Sequence, residues 1–251
     1  MTGRHDGTVA IVTGANRGIG RAFVEELLEG GAVVYAGCRN PEDMPAELVA
    51  AGARPVRLDV TDDGQVAAAA EHCGDVTMVV NNAGFFANRR LVGAPSMDPA
   101  RQEMEVNYFG PLRMTKAFAP VLGRNGGGAI GNVLSVAGMT PLAFMGGYSP
   151  AKGAALYLST ITRAELGPQG TTVTAMIVGS VDTDMAAHVD GDKEDPRDIA
   201  RAGLRAITRG VDLVDTDRMA VEARAAVARD AKGYERAMAK LLHVETIRTA
   251  P

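Results

Sequence analysis

The chain has 251 residues, of which 46% are hydrophobic and 22% charged, so it can bury a full core and has the length of one α/β domain. Its formal charge of −4 leaves no basic excess, and we therefore expect no nucleic-acid partner. The N-terminal residues are polar and no segment approaches the roughly 18 apolar residues of a membrane span, which predicts a cytoplasmic protein without membrane contact.

Apolar, β-branched runs alternate with helical patterns along the chain. The predicted strands are 9–13, 32–38, 54–59, 76–80, 129–135 and 171–178. The predicted helices are 17–30, 62–72, 99–123, 148–166, 196–207 and 217–241. This alternation predicts a doubly wound α/β fold, with helices on both faces of a central parallel sheet. We expect one domain, 1–251, with a substrate lid at 185–208 and a C-terminal helix at 217–241.

A glycine turn joins the first predicted strand to the first predicted helix, in the sequence Thr13-Gly14-Ala15-Asn16-Arg17-Gly18-Ile19-Gly20. Glycine allows a sharp turn and close approach to a pyrophosphate, which the N–H groups of the helix attract. An ordinary tight turn would explain the glycines alone equally well. As a phosphate cradle, the turn has candidate cofactor contacts at Gly14, Asn16, Arg17, Gly18, Ile19 and Gly20.

The second strand ends in Cys38-Arg39-Asn40, without the acidic residue that usually binds the ribose of NAD at this point. Arg39, with Arg17 in the glycine turn, suits a 2′-phosphate and favours NADP(H). The alternative is that both are solvated surface arginines. Cys38 and Cys73 have no metal-ligand spacing and are expected to be buried thiols, so no metal site is predicted.

The third and fourth strands end in polar residues. Asp59, followed by Val60, is a candidate contact to the adenine amino group, although a helix-capping role shared with Thr61 or Asp62 competes. The fourth strand ends in Asn81-Asn82-Ala83-Gly84, where Asn82, Ala83 and Gly84 can tie the strand end to its neighbours and lie against a cofactor. A plain Asx turn is the alternative there.

Four later residues carry candidate catalytic chemistry. Ser135 ends the fifth strand, and Tyr148 and Lys152 follow four residues apart on one face of a predicted helix. A nearby ammonium favours the phenolate, and a serine hydroxyl could hold a carbonyl oxygen beside the phenol. Asn107 lies within a predicted helix, where asparagine is a mediocre helix former. Considered without the other motifs, Tyr148 and Lys152 would be interpreted as a surface pair, and Asn107 as a solvent-facing residue.

The chain resembles the short-chain dehydrogenase/reductase family in motifs that occur in the family's order and at roughly its spacing. These are Thr13-Gly14-x-x-x-Gly18-Ile19-Gly20, Asn81-Asn82-Ala83-Gly84, Asn107, Ser135 and Tyr148-Ser149-Pro150-Ala151-Lys152. The resemblance covers residues 8–185 and implies a single-domain Rossmann fold. It also implies catalytic roles for Asn107, Ser135, Tyr148 and Lys152, with Tyr148 and Lys152 touching the cofactor and Asn107 holding a relay water.

The family's Pro-Gly-x-x-x-Thr segment after the sixth strand is altered here. The sequence reads Val178-Gly179-Ser180-Val181-Asp182-Thr183, in which valine replaces the proline. The resemblance implies nicotinamide-side contacts at Gly179, Val181 and Thr183, and the missing proline weakens that implication because valine restores an N–H and loosens φ. Thr183 could instead cap the segment after it.

The resemblance also implies an oligomer. The family pairs the helices around Asn107 and Tyr148 across a dimer, and both carry extra apolar residues here. A short strand at 211–214 is followed by a long helix, in place of the glycine-rich C-terminal strand that supports family tetramers. We expect a homodimer, with a tetramer as the weaker alternative.

The pattern indicates NADPH-dependent reduction of a ketone or aldehyde, reversible with oxidation of a secondary alcohol. The predicted walls of the substrate site are 85–97, 136–147 and 185–195, and the first two are mostly apolar, which favours an apolar or aromatic carbonyl compound. Core filling by Met139, Leu142, Phe144 and Met145 would explain the second wall equally well. The alternatives for the whole chain are an NAD-dependent alcohol dehydrogenase and a non-catalytic NADP(H) sensor or scaffold.

Overall fold

The computed structural model describes residues 4–187 and 190–243. In these residues seven strands form one parallel sheet: β1 Val9–Thr13, β2 Val33–Cys38, β3 Arg54–Arg57, β4 Met78–Asn81, β5 Gly128–Val133, β6 Thr171–Ile177 and β7 Leu213–Asp215. Their order is β3-β2-β1-β4-β5-β6-β7. The winding therefore reverses between β1 and β4, and the carboxyl ends of these strands open the crevice in which such sheets bind ligands.

Helices cover both faces of the sheet. They are α1 Gly18–Glu29, α2 Ala46–Ala50, α3 Asp63–His72, α4 Asp98–Met104, α5 Gly110–Arg124, α6 Val136–Met139, α7 Tyr148–Leu166, α8 Pro196–Thr208 and α9 Arg218–Lys240. On one face α1 and α8 pack together over Ala10 and Val12 of β1. On the other face α3 and α5 cover Ile11. Successive residues of one strand thus face opposite cores, as expected for a doubly covered sheet.

The helix that carries Asn107 contains a π-helical turn, Glu105–Phe109, between α4 and α5. The Gly110 N–H donates to the Glu105 carbonyl, five residues earlier in the chain. Pro111 follows and cannot donate an N–H to the carbonyl of Asn107, which explains the irregular turn at this point. Asn107 lies inside it and is 1% exposed, so the solvent-facing alternative is wrong.

The predicted doubly wound fold is confirmed, and the predicted strands agree with the structure to within two residues at each end. The predicted lid is wrong in its extent, because residues 196–208 form α8, which buries Ile199, Leu204 and Ile207 against α1 and the sheet. Residues 188 and 189 of the preceding segment lie outside the described residues. Across the described ranges, no helix is both long and apolar enough to cross a bilayer.

Candidate active site

The glycine turn between β1 and α1 has a backbone that glycine adopts without strain. Gly14 and Gly18 have φ of 63° and 54°. A Cβ on Gly20 would lie 2.1 Å from the Gly14 carbonyl oxygen, so the third glycine lets the helix pack against the strand end. The first turn of α1 has no side-chain cap and no acidic residue. Its N–H groups and positive dipole end therefore suit a phosphate.

Asn82 fastens the end of β4 to the glycine turn. Its Nδ2 donates to the carbonyls of Thr13 (2.9 Å) and Gly14 (3.2 Å). The Thr13 hydroxyl accepts the backbone N–H groups of Asn82 (3.0 Å) and Ala83 (2.9 Å). These contacts span about 70 residues of sequence and show a tie between strands rather than a plain Asx turn. Gly84 then enters the cleft, where a Cβ would lie 3.8 Å from Lys152 Nζ.

The two predicted arginines both border the cleft but differ in their partners. Arg17 pairs with Asp184 at 3.1 Å, and both side chains are largely exposed, so the pair is weak and can open. Arg39 follows β2 and has no carboxylate within ion-pair distance among the residues that the structure describes. Arg39 is therefore the better placed of the two for an incoming phosphate.

Asp59 borders the same cleft, with Val60 beside it. Its Oδ1 accepts the N–H (2.9 Å) and the hydroxyl (2.7 Å) of Thr61. The N-terminus of α3 is capped by Asp62, which accepts the Gln65 N–H at 3.0 Å. The helix-capping role that competed for Asp59 therefore belongs to Asp62.

Ser135, Tyr148 and Lys152 meet at the carboxyl end of β5. Ser135 caps α6, where its Oγ accepts the Ala137 N–H at 3.1 Å, and its hydroxyl is close enough to the Tyr148 phenol to lower the pKa of that phenol. Lys152 Nζ lies 5.6 Å from the Tyr148 ring centroid and donates to the Val133 carbonyl at 2.9 Å. Tyr148 and Lys152 are both buried. The surface-pair alternative is therefore wrong.

Burial dominates the acid–base properties of these two side chains. It raises the pKa of Tyr148 to about 12, with the Ser135 hydrogen bond opposing it. It lowers the pKa of Lys152 to about 8. The net effect is therefore a raised pKa of the phenol rather than a lowered one, because desolvation of the phenolate is the largest effect. At neutral pH Tyr148 is protonated and ready to donate a proton.

Lys152 should make the stability of the fold depend on pH. Its pKa of about 8 in the folded protein lies below the ordinary value of 10.5, so between these values the unfolded chain binds more protons and the free energy of unfolding rises with pH. We expect the wild type to gain stability relative to Lys152→Met from pH 8 to pH 10.5 in denaturant titrations. A difference that stays constant over this range would contradict a desolvated ammonium.

Asn107 is anchored to the loop that follows β4. Its Nδ2 donates to the carbonyls of Phe85 (2.7 Å) and Glu103 (2.8 Å), and its Oδ1 accepts the Phe85 N–H at 3.2 Å. Its Oδ1 also approaches Gly84, where a Cβ would lie 3.1 Å away. The side chain of Asn107 is thus committed to positioning the backbone of this loop.

The segment after β6 is held by Asp217, the N-cap of α9. Its Oδ2 accepts the Gly179 N–H at 2.7 Å, and its Oδ1 accepts the Ala220 N–H at 2.9 Å. A Cβ on Gly179 would lie 2.5 Å from Asp217 Oδ1, so only glycine fits there. These two hydrogen bonds of Asp217 fix the loop at Gly179, next to Val178, which stands where the family has a proline.

Thr183 faces the glycine turn across the cleft, and its methyl group would lie 3.1 Å from a Cβ on Gly18. Its hydroxyl donates to the Val181 carbonyl (3.4 Å) and makes no capping hydrogen bond. The capping alternative is therefore wrong. Gly179, Val181 and Thr183 all border the cleft.

The cleft has a volume of about 1920 Å³ and runs from the glycine turn past Tyr148 to α9. Of the predicted walls, the structure places Phe85, Phe86, Leu142, Phe144, Met145 and Met185 along it. Met139 instead packs against a core cluster. At Asp230 the backbone leaves helical geometry and kinks α9. The helix beyond the kink adds Tyr234 and Met238 as a further apolar wall.

Sequence reasoning did not identify Phe86, Asp217, Tyr234 or Met238 as individual members of the site. Tyr234 and Met238 stand four residues apart, a helical spacing equally typical of core filling or an oligomer contact. Asp217 is a typical helix N-cap, and nothing in the sequence indicates its second bond to Gly179. The signals were present, but they were not specific to a site.

A glycine turn at the switch point of a doubly wound sheet is the arrangement that binds dinucleotides. Here a Cβ on Gly14, Gly18 or Gly20 would lie within 3.1 Å of a neighbouring atom, so the turn needs its glycines. Together with a buried tyrosine and lysine beside the crevice, it defines the class as dinucleotide-dependent oxidoreductases. The family model for short chain dehydrogenases matches residues 8–194, and the chain belongs to this family.

Solved structures and curated relatives agree with this assignment. A short chain dehydrogenase from Burkholderia cenocepacia J2315 in complex with NADP is 40% identical, with a TM-score of 0.89 over 94% of this chain and 98% of that one. A short chain dehydrogenase/reductase from Burkholderia phymatum in complex with NAD is 25% identical, with a TM-score of 0.82 over 91% and 95%. An NADPH-dependent 1-acyldihydroxyacetone phosphate reductase from Schizosaccharomyces pombe is 34% identical over 69% of this chain. The chain spans 60–66% of the length of four such curated relatives.

Proposed function

We propose that the protein is an NADPH-dependent reductase of ketones or aldehydes, reversible with oxidation of secondary alcohols. The observation that carries this proposal is the buried Tyr148 beside Ser135 and Lys152, in the same cleft as the glycine turn. A cofactor sensor would need the glycine turn but not a buried acid beside it.

The protein's own residues supply proton transfer and positioning. Tyr148 donates its proton to the carbonyl oxygen as that oxygen gains charge, and the Ser135 hydroxyl hydrogen-bonds the same oxygen. The Lys152 ammonium stabilises the Tyr148 phenolate that remains after proton transfer. Lys152 then passes a proton towards the phenolate and is itself reprotonated from solvent. Because the Asn107 side chain is committed to Phe85, its backbone carbonyl is the group that would hold a relay water. NADPH supplies the hydride when bound.

The cofactor is held along the carboxyl ends of the strands. The glycine turn takes the pyrophosphate through Gly14, Asn16, Gly18, Ile19 and Gly20. Asp59 and Val60 take the adenine, and Asn82, Ala83 and Gly84 line the middle of the cleft. Lys152 binds the nicotinamide ribose, and Gly179, Val181 and Thr183 contact the nicotinamide end.

Arg39 supports the choice of NADP(H), because it is exposed at the end of β2 with no carboxylate partner among the described residues. Arg17 can join it by giving up its exposed pair with Asp184. The NADP-bound relative from Burkholderia cenocepacia and the NADPH-dependent reductase from Schizosaccharomyces pombe support the same choice.

Replacing Arg39 should weaken NADPH binding selectively. We expect Arg39→Ser to raise the Kd for NADPH about ten-fold or more, because charge-assisted bonds to the 2′-phosphate are lost, and to leave the Kd for NADH nearly unchanged. Nicotinamide fluorescence measures both constants. Arg209→Ser is the matched control. Arg209 is exposed just after α8, and its neighbour Gly210 approaches the first residues of β6, at the edge of the sheet opposite the cleft. Equal losses for the two cofactors would assign Arg39 a role other than selection.

The walls around Tyr148 favour an apolar or aromatic carbonyl substrate. Phe86 packs edge-to-face on the Tyr148 ring, with centroids 5.2 Å apart. Phe144 and Met145 border the cleft from the segment before α7, and Tyr234 and Met238 from α9. A sugar or phosphorylated substrate would place polar groups against these side chains without partners.

We also propose a homodimer, in which α5 and α7 pair with their counterparts in a second copy. Phe109 and Ile161 on this side are 40% and 56% exposed in the single chain. Light scattering at micromolar concentration should give twice the mass of the chain. A monomer would contradict this pairing, and a fourfold mass would indicate the tetramer.

A further inference from the structure

Glu103 is a buried carboxyl group that the reaction described above does not use. It lies in α4, one turn before Asn107, and is 1% exposed. Among residues 4–187 and 190–243 no arginine or lysine pairs with it. Burial raises its pKa, and only backbone N–H groups oppose that effect. Burying a charged carboxyl group without a cation costs free energy, so we expect Glu103 to have a role that offsets this cost.

The two oxygens of Glu103 face two separate segments of the active site. Oε1 accepts the Ala87 N–H at 2.9 Å. Oε2 is buried and makes no hydrogen bond of regular geometry with the described residues, but it lies against the Gly147 backbone, whose N–H favours the charged carboxylate. A Cβ on Gly147 would come within 2.6 Å of Oε2. Gly147 immediately precedes Tyr148, so the carboxyl group stands between the loop after β4 and the start of α7.

Glu103 and Asn107 together hold the backbone of the loop after β4 against their helix. Asn107 bonds both backbone groups of Phe85, and Glu103 bonds the backbone of Ala87. Phe86 lies between these two anchored residues. There it meets Tyr148, with the two rings inclined at 65°.

We propose that Glu103 is a positioning residue for the reaction, holding Phe86 against the Tyr148 phenol through the Ala87 backbone. This inference rests on the proposed reductase function. Phe86 then forms the wall beside the proton donor, and the carbonyl compound is seated between that wall and Ser135. Burial is the main reason that the pKa of Tyr148 is raised, and the charge of Glu103 adds to that rise.

Two substitutions separate the hydrogen bond from the charge. Glu103→Gln keeps an oxygen that accepts the Ala87 N–H but removes the charge, whereas Glu103→Leu removes both. For Glu103→Leu we expect the KM of the carbonyl substrate to rise about ten-fold or more while the Kd for NADPH is unchanged. For Glu103→Gln we expect a KM near that of the wild type. Glu165→Gln, which removes an exposed carboxyl group from α7, is the control.

The pH profile gives a readout that a purely structural role would not move. Loss of a nearby negative charge lowers the pKa of the phenol, so the alkaline limb of kcat for reduction should shift to lower pH in Glu103→Gln. The charged side chains shown to act on Tyr148 in the described part of the chain are Lys152 on its own helix and Glu103 on α4. The backbone of Arg89 and Arg90 lies against Gly146, two residues before Tyr148. Arg90 is turned towards the Leu242 carbonyl, at 3.0 Å.

Amide hydrogen exchange tests the positioning without turnover. Exchange in the peptide that contains 84–90 should accelerate in Glu103→Leu and stay at the wild-type rate in Glu103→Gln and Glu165→Gln. If the wild type reduced no carbonyl compound but this exchange pattern held, the proposed reductase function would fail and the positioning would stand. Unchanged exchange and KM in Glu103→Leu would overturn the inference. If Glu103→Leu does not fold, an alkaline limb of Glu103→Gln identical to that of the wild type would overturn it.

Discussion

Replacing Tyr148 with phenylalanine should lower kcat by about 10²–10⁴-fold, the usual contribution of a positioned general acid. The substitution removes only the hydroxyl, because the ring stays packed between Phe86 and Lys152. The Ser135 hydroxyl would then be the remaining donor at the carbonyl oxygen, and Ser135 cannot supply the proton. Turnover by absorbance at the nicotinamide band measures the loss.

The same variant should bind NADPH nearly as well as the wild type, which nicotinamide fluorescence checks. Tyr157→Phe is the matched control, since Tyr157 lies on the same helix and is 75% exposed. A Tyr148→Phe variant that kept a substantial part of its activity would show that another group delivers the proton.

Gly20→Ala is expected to damage both the fold and the cofactor site. The added Cβ would lie 2.1 Å from the Gly14 carbonyl oxygen and 2.4 Å from Asn82 Nδ2, and both groups are fixed by the tie between β1 and β4. Overpacking of this kind costs about 1–3 kcal/mol or more, which for a chain of this size lowers Tm by about 2–4 °C for each kcal/mol. Because the strain displaces the turn itself, NADPH affinity should fall as well. Thermal unfolding with and without NADPH measures both effects.

Gly167→Ala is the control for this substitution. Gly167 is the C-cap residue that follows α7 and has a φ of −53°. A Cβ at this position would have no atom within 4 Å. Alanine at this position should leave Tm unchanged or raise it slightly, because it restricts the unfolded chain. If both glycine variants behaved alike, the crowding at Gly20 would not be the reason for its glycine.

The elements that sequence predicts well are those with local signals. Strands such as β1 and helices such as α7 follow from periodicity alone, and the glycine turn and the Tyr148–Lys152 spacing identify the site region because their partners lie within a few residues. The short helices α2 and α6 were not predicted, since five or four residues carry too little periodicity.

The contacts that sequence could not predict join distant segments. Arg17 meets Asp184 across 167 positions, and Gly179 meets Asp217 across 38. Glu103 sits two residues before Glu105 in a polar helix start, where both would be expected to face solvent. Only the packing of α4 against α7 and the loop after β4 buries one of them. The apolar wall of α9 likewise depends on the kink at Asp230.

The central claim is that this cleft couples NADPH to the reduction of an apolar carbonyl compound. The most direct test follows absorbance at the nicotinamide band while a panel of apolar and aromatic ketones is added to the protein with NADPH or NADH. We predict that at least one ketone is reduced, faster with NADPH than with NADH, and that Tyr148→Phe lowers this rate by about 10²–10⁴-fold. Tight binding of NADPH without oxidation by any member of the panel would contradict the claim and favour a cofactor sensor.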